Sequence, residues 1–334
     1  MPSASLLDLK LRQDPDGRMA RKIVEQLSQS DGIFDDLQWM EANDGSTHLT
    51  TVRTGLPEGT WRQLYQGVQP SKSTTAQVRD ACGIFEMRAE IDTAMPGLQA
   101  GGDAAKEFRF SEEASFRLTL KNQLISTLFY GNASVTPSKF TGIAARFSTS
   151  VAATAASGDN VIKAGGSGAD NTSIYVVANG GPYLNMLYAK GSNAGFTVRD
   201  LGEQDSFDSN AARFRALHTM YGFNGGCTLG DWRGVVRIPN IDISELTKTG
   251  STGADLVDLV VQAIEMLPEE VNQPGVKLAI YSNRKVRSFM RRQIQNRDNV
   301  WLGWGEVAGK KVMTFDDIPW RRCDSIVNDE ALVP

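Results

Sequence analysis

The chain has 334 residues, 41% of them hydrophobic, and a formal charge of -4 at pH 7. That length supports one large core or two compact lobes, and the composition excludes wholesale disorder. The mild negative charge argues against tight, sequence-independent wrapping of nucleic acid, which needs an excess of Lys and Arg to neutralise phosphates.

Residues 1–10 lack a basic stretch leading into an apolar core, so no signal peptide is expected. No apolar run reaches roughly 18 residues, and no membrane span is expected. Residues 1–47 are polar and acid-leaning. Within them Met19, Ile23 and Leu27, then Ile33, Phe34 and Leu37, predict a short helix and a docking patch, an arm resting on another surface. Residues 48–91 predict two extended arms around a turn-rich centre, where Gly55-Leu56-Pro57-Glu58-Gly59 and Gln66-Gly67 lie. In the second arm Phe85, Met87, Ala89 and Ile91 alternate with Glu86, Arg88 and Glu90, which is the period of a strand with one apolar face. A two-stranded segment gains little from its own core and needs support from another surface; an ordinary surface hairpin fits the same pattern.

A long helix is expected over 103–130. Ala104, Phe108, Phe116, Leu120, Leu124 and Leu128 share one register, Glu112 interrupts it, and Leu118, Ile125 and Phe129 widen the stripe. Its length would be roughly 42 Å at 1.5 Å per residue. Gly101-Gly102 and Gly131-Asn132 mark the ends. Residues 148–170, rich in Ala, Gly and Ser, predict a loop or weak hairpin. Ile174-Tyr175-Val176-Val177-Ala178 predicts a buried strand closed by Asn179-Gly180-Gly181-Pro182. Residues 212–220 read as helix, Asn224-Gly225-Gly226-Cys227 as a turn, and 232–238 as a strand ended by Pro239-Asn240.

A helix over 254–267 is expected, capped by Thr252 with Asp255 three positions on, and stopped by Pro268. Leu256, Leu259, Val260, Ala263 and Leu267 form its buried side. Residues 277–281 predict a strand leading into a helix over 283–296. That helix carries Arg284, Lys285, Arg287, Arg291 and Arg292 outside, with Val286, Phe289, Met290 and Ile294 as anchors. Residues 241–270 hold seven acids against Lys248 alone. The acidic and basic regions can pair within a subunit or between neighbours, or the basic face is simply solvated. Residues 312–327 predict two strands broken at Asp316-Asp317 and Pro319.

No residue pattern nominates a catalytic or cofactor-binding group. His48 and His218 are the only histidines, and neither has Cys or carboxylate partners at ligand spacing, so no metal site is expected. A Ser-His or Cys-His arrangement formed only in three dimensions stays open. Cys82, Cys227 and Cys323 are odd in number and scattered, which fits a chain made in reducing cytoplasm. Cys82 and Cys227 read as small buried hydrophobes. Gly165-Gly166-Ser167-Gly168 lacks the Gly-Lys-Ser/Thr ending of a phosphate cradle and reads as a flexible loop. Glu112-Glu113, Glu269-Glu270 and Asp316-Asp317 are adjacent carboxylates, not a pair opposed across a cleft. Arg291-Arg292 and Arg321-Arg322 are the densest positive spots. Only Trp320 interleaves an aromatic with them, too little for a stacking platform.

Four stretches in order carry a resemblance: Leu56-Pro57-Glu58-Gly59-Thr60-Trp61-Arg62 with Gln66-Gly67-Val68; Tyr175-Val176-Val177-Ala178-Asn179-Gly180-Gly181-Pro182; Trp232-Arg233-Gly234-Val235-Val236-Arg237-Ile238-Pro239-Asn240-Ile241-Asp242; and Ile318-Pro319-Trp320-Arg321-Arg322-Cys323-Asp324. Nearly the whole chain resembles the major capsid proteins of tailed double-stranded DNA phages, especially the podovirus and siphovirus branch. The resemblance implies an α+β chain with the tailed-phage major capsid fold. Its parts would be an N-terminal arm at 1–47, an extended two-stranded loop at 48–95, a peripheral domain with a long spine helix at 96–140, an axial domain at 141–310, and C-terminal strands at 311–334 that return to the peripheral domain.

The implied function is a structural subunit, not an enzyme, without cofactor. It would assemble as hexamers and pentamers into an icosahedral head around double-stranded DNA that it does not read by sequence. Portal and scaffolding proteins are implied partners and a cement or decoration protein a possible one; no membrane is involved. The chain would be made and assembled in the host bacterial cytoplasm and reside in the virion. Trp61, Arg62, Phe85, Met87, Arg287 and Arg291 are the expected assembly contacts. Lys72 lies in the loop region, but its position alone does not make it reactive, and no crosslink is expected. Alternatives are an encapsulin-like compartment shell, a phage decoration or tail protein, and a soluble enzyme with an unrecognised pocket.

Overall fold

The computed structural model describes residues 32–94, 102–208, 210–250, 253–296, 302–307 and 310–334. The helix expected around Met19, Ile23 and Leu27, and the capping Thr252, lie outside the described residues. In chain order a 3-10 turn (Gly32–Asp35) precedes β1 (Trp39–Glu41), β2 (Thr47–Gly55), β3 (Thr74–Ala81) and β4 (Gly83–Asp92). The long α1 (Gly102–Tyr130) and one-turn α2 (Ile143–Arg146) lead to β5 (Asn171–Asn179), β6 (Leu184–Tyr188), β7 (Phe196–Phe207), β8 (Arg213–Leu229) and β9 (Val235–Asp242). Then come α3 (Leu256–Glu265), β10 (Lys277–Ser282), α4 (Arg284–Gln295), β11 (Leu302–Val307), β12 (Lys310–Phe315) and β13 (Ile318–Arg322). The chain divides into two compact units: one holds Ile84–Ser126 and Gly195–Asn224, the other Ser30–Gly83, Thr127–Ala194 and Gly225–Pro334.

Strand β5 is the axis of the larger unit. It pairs antiparallel with β9 on one edge and β10 on the other. Strand β10 runs parallel to β13, and β12 and β11 continue antiparallel. All nine residues of β5 are buried, because both sheet faces are covered, and a doubly covered strand reads as a continuous apolar run. On one face Ile174 and Val176 share a core with Val236, Ile238, Ile280 and Trp320, closed by Leu256, Val257, Val260 and Ala263 of α3 and Val286, Met290 and Ile294 of α4. On the other face Tyr175 packs against Phe129, ring centroids 5.0 Å apart. Helix α4 is capped by Asn283, whose side chain accepts from Val286 N at 2.9 Å. The α3 cap is Asp255 itself, accepting from Asp258 N at 3.3 Å. Buried Gln293 of α4 accepts from Leu256 N and donates to the Ala254 carbonyl at 2.9 and 3.0 Å. The first amide of α3 is therefore satisfied by a tertiary partner, so the helix starts later than its apolar pattern.

In the smaller unit β7 pairs antiparallel with β8. Phe85 stacks on Phe223 and Phe116 on Tyr221, each pair at 5.6 Å. The α1 stripe is confirmed at Leu120, Leu124, Ile125, Leu128 and Phe129, all buried. The helix closes where Gly131 N donates to the Thr127 carbonyl at 2.7 Å.

Several local expectations are corrected. Residues 212–220 belong to strand β8, not a helix: Ala216, His218 and Tyr221 are buried while Arg213 and Arg215 are exposed, and the short apolar run did not separate the two periods. Asn224-Gly225-Gly226-Cys227 continues the same strand. A Cβ on Gly226 would sit 2.9 Å from the Ala81 carbonyl oxygen, so this glycine serves close backbone approach, not a turn. Residues 232–234 form a 3-10 turn. The strand after it runs through Pro239 and Asn240 to Asp242, with a bulge opposite Thr172 and Ile174 and Asn240 at φ 61. Asp316 and Asp317, at φ 50 and 59, form the hairpin turn as expected, but Pro319 lies inside β13. Finally, the partner of β2 is β3, paired from Thr47↔Ala81 to Gly55↔Thr74, not the strand carrying Phe85 and Met87. Strand β3 is exposed at every position but Asp80, so it has no apolar alternation to find.

Candidate functional site

The β2–β3 hairpin has a rigid root and an unsupported tip. At the root, Arg146 of α2 donates to Asp80 at 2.7 Å and to the Cys227 and Thr141 carbonyls at 2.9 and 3.3 Å. The Asn43 carboxamide bonds both the N–H and the carbonyl of Leu49 at 2.8 Å each. At the tip, Trp61 and Tyr65 are fully exposed, with Leu64 at 87% and Leu56 at 76%. Arg62 donates to the Gln66 carbonyl at 3.2 Å, which curls the tip without covering the rings. Single exposed apolar residues are ordinary on a surface, but a set of large ones on one extended hairpin marks an interaction surface.

The second surface is basic. The outer face of α4 forms a concavity of about 480 Å³ lined by Arg284, Arg287, Arg291 and Arg292, joined by Arg322 from β13. Burial, then the like charges of Arg291 and Arg322, hold the half-buried Arg287 guanidinium below its ordinary value. Arg322 forks onto Asp324 at 2.9 and 3.0 Å. Its neighbour Arg321 points the other way and is buried against Asp36 at 2.9 and 3.1 Å. Strand alternation therefore splits the Arg321-Arg322 pair between two faces. Trp320 is buried, its indole donating to Ser282 Oγ at 2.6 Å, so it offers no stacking face.

Of the six expected contacts, the fold brings Trp61 and Arg62 together at the hairpin tip and Arg287 and Arg291 together in the groove. Phe85 and Met87 lie on β4 in the smaller unit, partly buried. Sequence reasoning did not anticipate Arg322 in the groove, nor the Arg146–Asp80 root. Both join positions dozens of residues apart and leave no local signal.

The groups that suggest chemistry are used structurally. Ser206 Oγ lies 2.8 Å from His218 Nε2, but Arg88 Nε donates to His218 Nδ1 at 3.0 Å. That contact puts the ring proton on Nε2, so the imidazole donates to the serine and cannot take its proton. Burial pushes the Cys227 thiol up to about 12, far from a thiolate nucleophile. Burial and Asp80 raise Cys82. Gly168 N donates to the Asp242 carboxylate at 3.0 Å and Gly166 N to the Asn240 carbonyl at 2.9 Å. A carboxylate thus occupies the place a phosphate would need. Among the described residues no three His, Cys, Asp or Glu converge on a metal position, and no helix is long and apolar enough to cross a membrane.

The family described as Major capsid protein GP7 matches residues 14–334. The chain belongs to this family of major capsid proteins. Among solved structures, a chain of bacteriophage epsilon15 is 33% identical, with 100% of this chain and 98% of that one covered and a TM-score of 0.75. The capsid protein is therefore an α+β subunit of the icosahedral shell of a phage head, where it assembles with copies of itself in the virion. Bacteriophage JBD30 capsid (9% identity, 92% and 96% covered, TM-score 0.46) and an encapsulin complex from Synechococcus elongatus (9%, 72% and 96%, 0.42) are also similar. No curated protein sequence matches the capsid protein.

Proposed function

We propose that the capsid protein assembles as hexamers and pentamers that close around double-stranded DNA without reading its sequence, and that it performs no catalysis. The observation that carries this reading is the hairpin tip, where Trp61 and Tyr65 stand fully exposed beyond a pinned root. Large apolar side chains on a two-stranded arm gain free energy only against another surface, and the copies in the shell supply one. The proposed organisation is an N-terminal arm at 1–47, an extended loop at 48–95 that crosses a subunit boundary, a peripheral domain at 96–140, an axial domain at 141–310 and returning strands at 311–334.

Trp61, Arg62, Arg287 and Arg291 are the proposed contacts of the larger unit. The partly buried Phe85 and Met87, beside Ile84 at 65% exposure, are the proposed strip of the smaller one. Assembly takes place in host bacterial cytoplasm with portal and scaffolding proteins, and a cement or decoration protein is a further partner in the same scheme. Absence of catalysis rests on the tautomer of His218 and the raised thiols. Proteolytic footprinting of free subunit and particle tests the loop: cleavage near Trp61 should vanish on assembly. Equal cleavage in both would end the idea that the loop crosses to a neighbour.

A further inference from the structure

The arginine groove and an acidic helix face occur side by side in the larger unit, on helices that share one core over the same sheet face. On α3 the outward residues are Asp258, Val261, Gln262 and Glu265, with Met266 at the C-cap, all exposed. Asp258 and Glu265 are seven residues apart, so both project from one face about 10.5 Å apart along the axis. On α4, Arg284 and Arg291 are also seven apart, with Arg287 between them in the same concavity. The two rows thus have opposite charge and equal spacing. Val261 at 44% and Met266 at 38% exposure flank the acids with apolar surface. The facing groove is lined by arginine stems with Ser288 and Gln295.

Within the subunit the groove is not neutralised by these acids. Asp258 accepts from Gln262 at 2.7 Å, on its own helix. Among the described residues Arg284 reaches only Asp324, at 4.0 Å. Arg287 has no hydrogen-bond or ion-pair partner among the described residues, and burial beside the like charges of Arg291 and Arg322 disfavours its charged form, so a carboxylate brought to it from outside is stabilising.

Resting on the reading of α4 as a subunit contact, we infer that the arginine groove takes the Asp258–Glu265 row of α3 from the next copy of this chain, head to tail. Each subunit then offers its groove to one neighbour and its acids to the other. This is a heterologous contact, which closes into rings and suits five or six members alike. Matched spacing sets the register, and the charges disfavour the inverted pairing of groove on groove.

Three variants of the full chain, carried by the phage in its own host, test it: R287E/R291E, D258R/E265R, and the four changes together. All substituted side chains except half-buried Arg287 are exposed, and thermal melting of each purified variant checks the fold. Each two-site reversal should lower particle yield at least roughly 100-fold, and the combined variant should recover most of it. Normal yield from R287E/R291E would overturn both the inference and the reading of α4 as a contact. Loss with R287E/R291E but normal yield with D258R/E265R would leave α4 a contact and overturn its assigned partner. Failure of the combined variant to recover would overturn the pairing as well. If wild-type subunit in addition binds a short DNA duplex in a salt-sensitive way and R287E/R291E does not, the groove is a phosphate site instead.

Discussion

Arg237, 4% exposed on β9, donates to Glu330 at 2.7 Å, to Ser173 at 3.2 Å and to the Phe147 and Ala144 carbonyls at 2.8 and 3.2 Å. Glu330 in turn accepts from Ser173 and from Tyr130, the latter at 2.6 Å. Removing the carboxylate strands a buried cation, so Glu330→Ala should cost about 3–5 kcal/mol in urea unfolding of the subunit. Glu330→Gln keeps one acceptor oxygen and the side-chain volume and should cost less. His218 gives a pH prediction. Burial first, then the Arg88 charge, lower its pKa, with Glu90 opposing. The folded state therefore favours the neutral ring. Stability from it is full above the ordinary value of about 6.5 and is lost as pH falls through the lowered folded value. The melting temperature of the wild type should drop on acidification through that window, while His218→Asn should lose this component. Parallel profiles would refute it.

Among the elements, the hairpin separates folding from assembly. Its tip touches little of its own chain, so replacing residues 57–70 with a short Gly-Ser turn should leave subunit stability within about 1 kcal/mol. Particle formation should nonetheless fail, as electron microscopy of lysates would record. The root behaves oppositely. Asp80 is 6% exposed and Arg146 15% by side chain. Arg146→Ala leaves a buried carboxylate unpaired and should destabilise by about 3 kcal/mol, with faster proteolysis at β2 and β3. These two variants distinguish a designed arm from a merely frayed loop.

For the whole molecule, burial completed by neighbours makes assembly a mass-action event. Shell formation should therefore rise steeply above a threshold subunit concentration and weaken with salt if the arginine groove contributes. Light scattering against concentration and ionic strength measures both. A formal charge of -4 fits the proposal that the shell wall encloses nucleic acid without gripping it.

Periodicity and end signals were enough to place α1, β5, β10, α4 and the Asp316-Asp317 turn, because each element's stabilising face is written within one local stretch. The ordered family-like stretches also made the shell function legible. What needed the tertiary structure was pairing: β2 with β3, Asp255 as the α3 cap, Arg322 in the groove, Arg237 on Glu330. A strand such as β3 that buries only one side chain has no apolar alternation. Ion pairs between residues 93 apart, as Arg237 and Glu330 are, leave no local pattern. Local free energy chooses an element's type, whereas the partners of polar and exposed elements are selected only when distant segments meet.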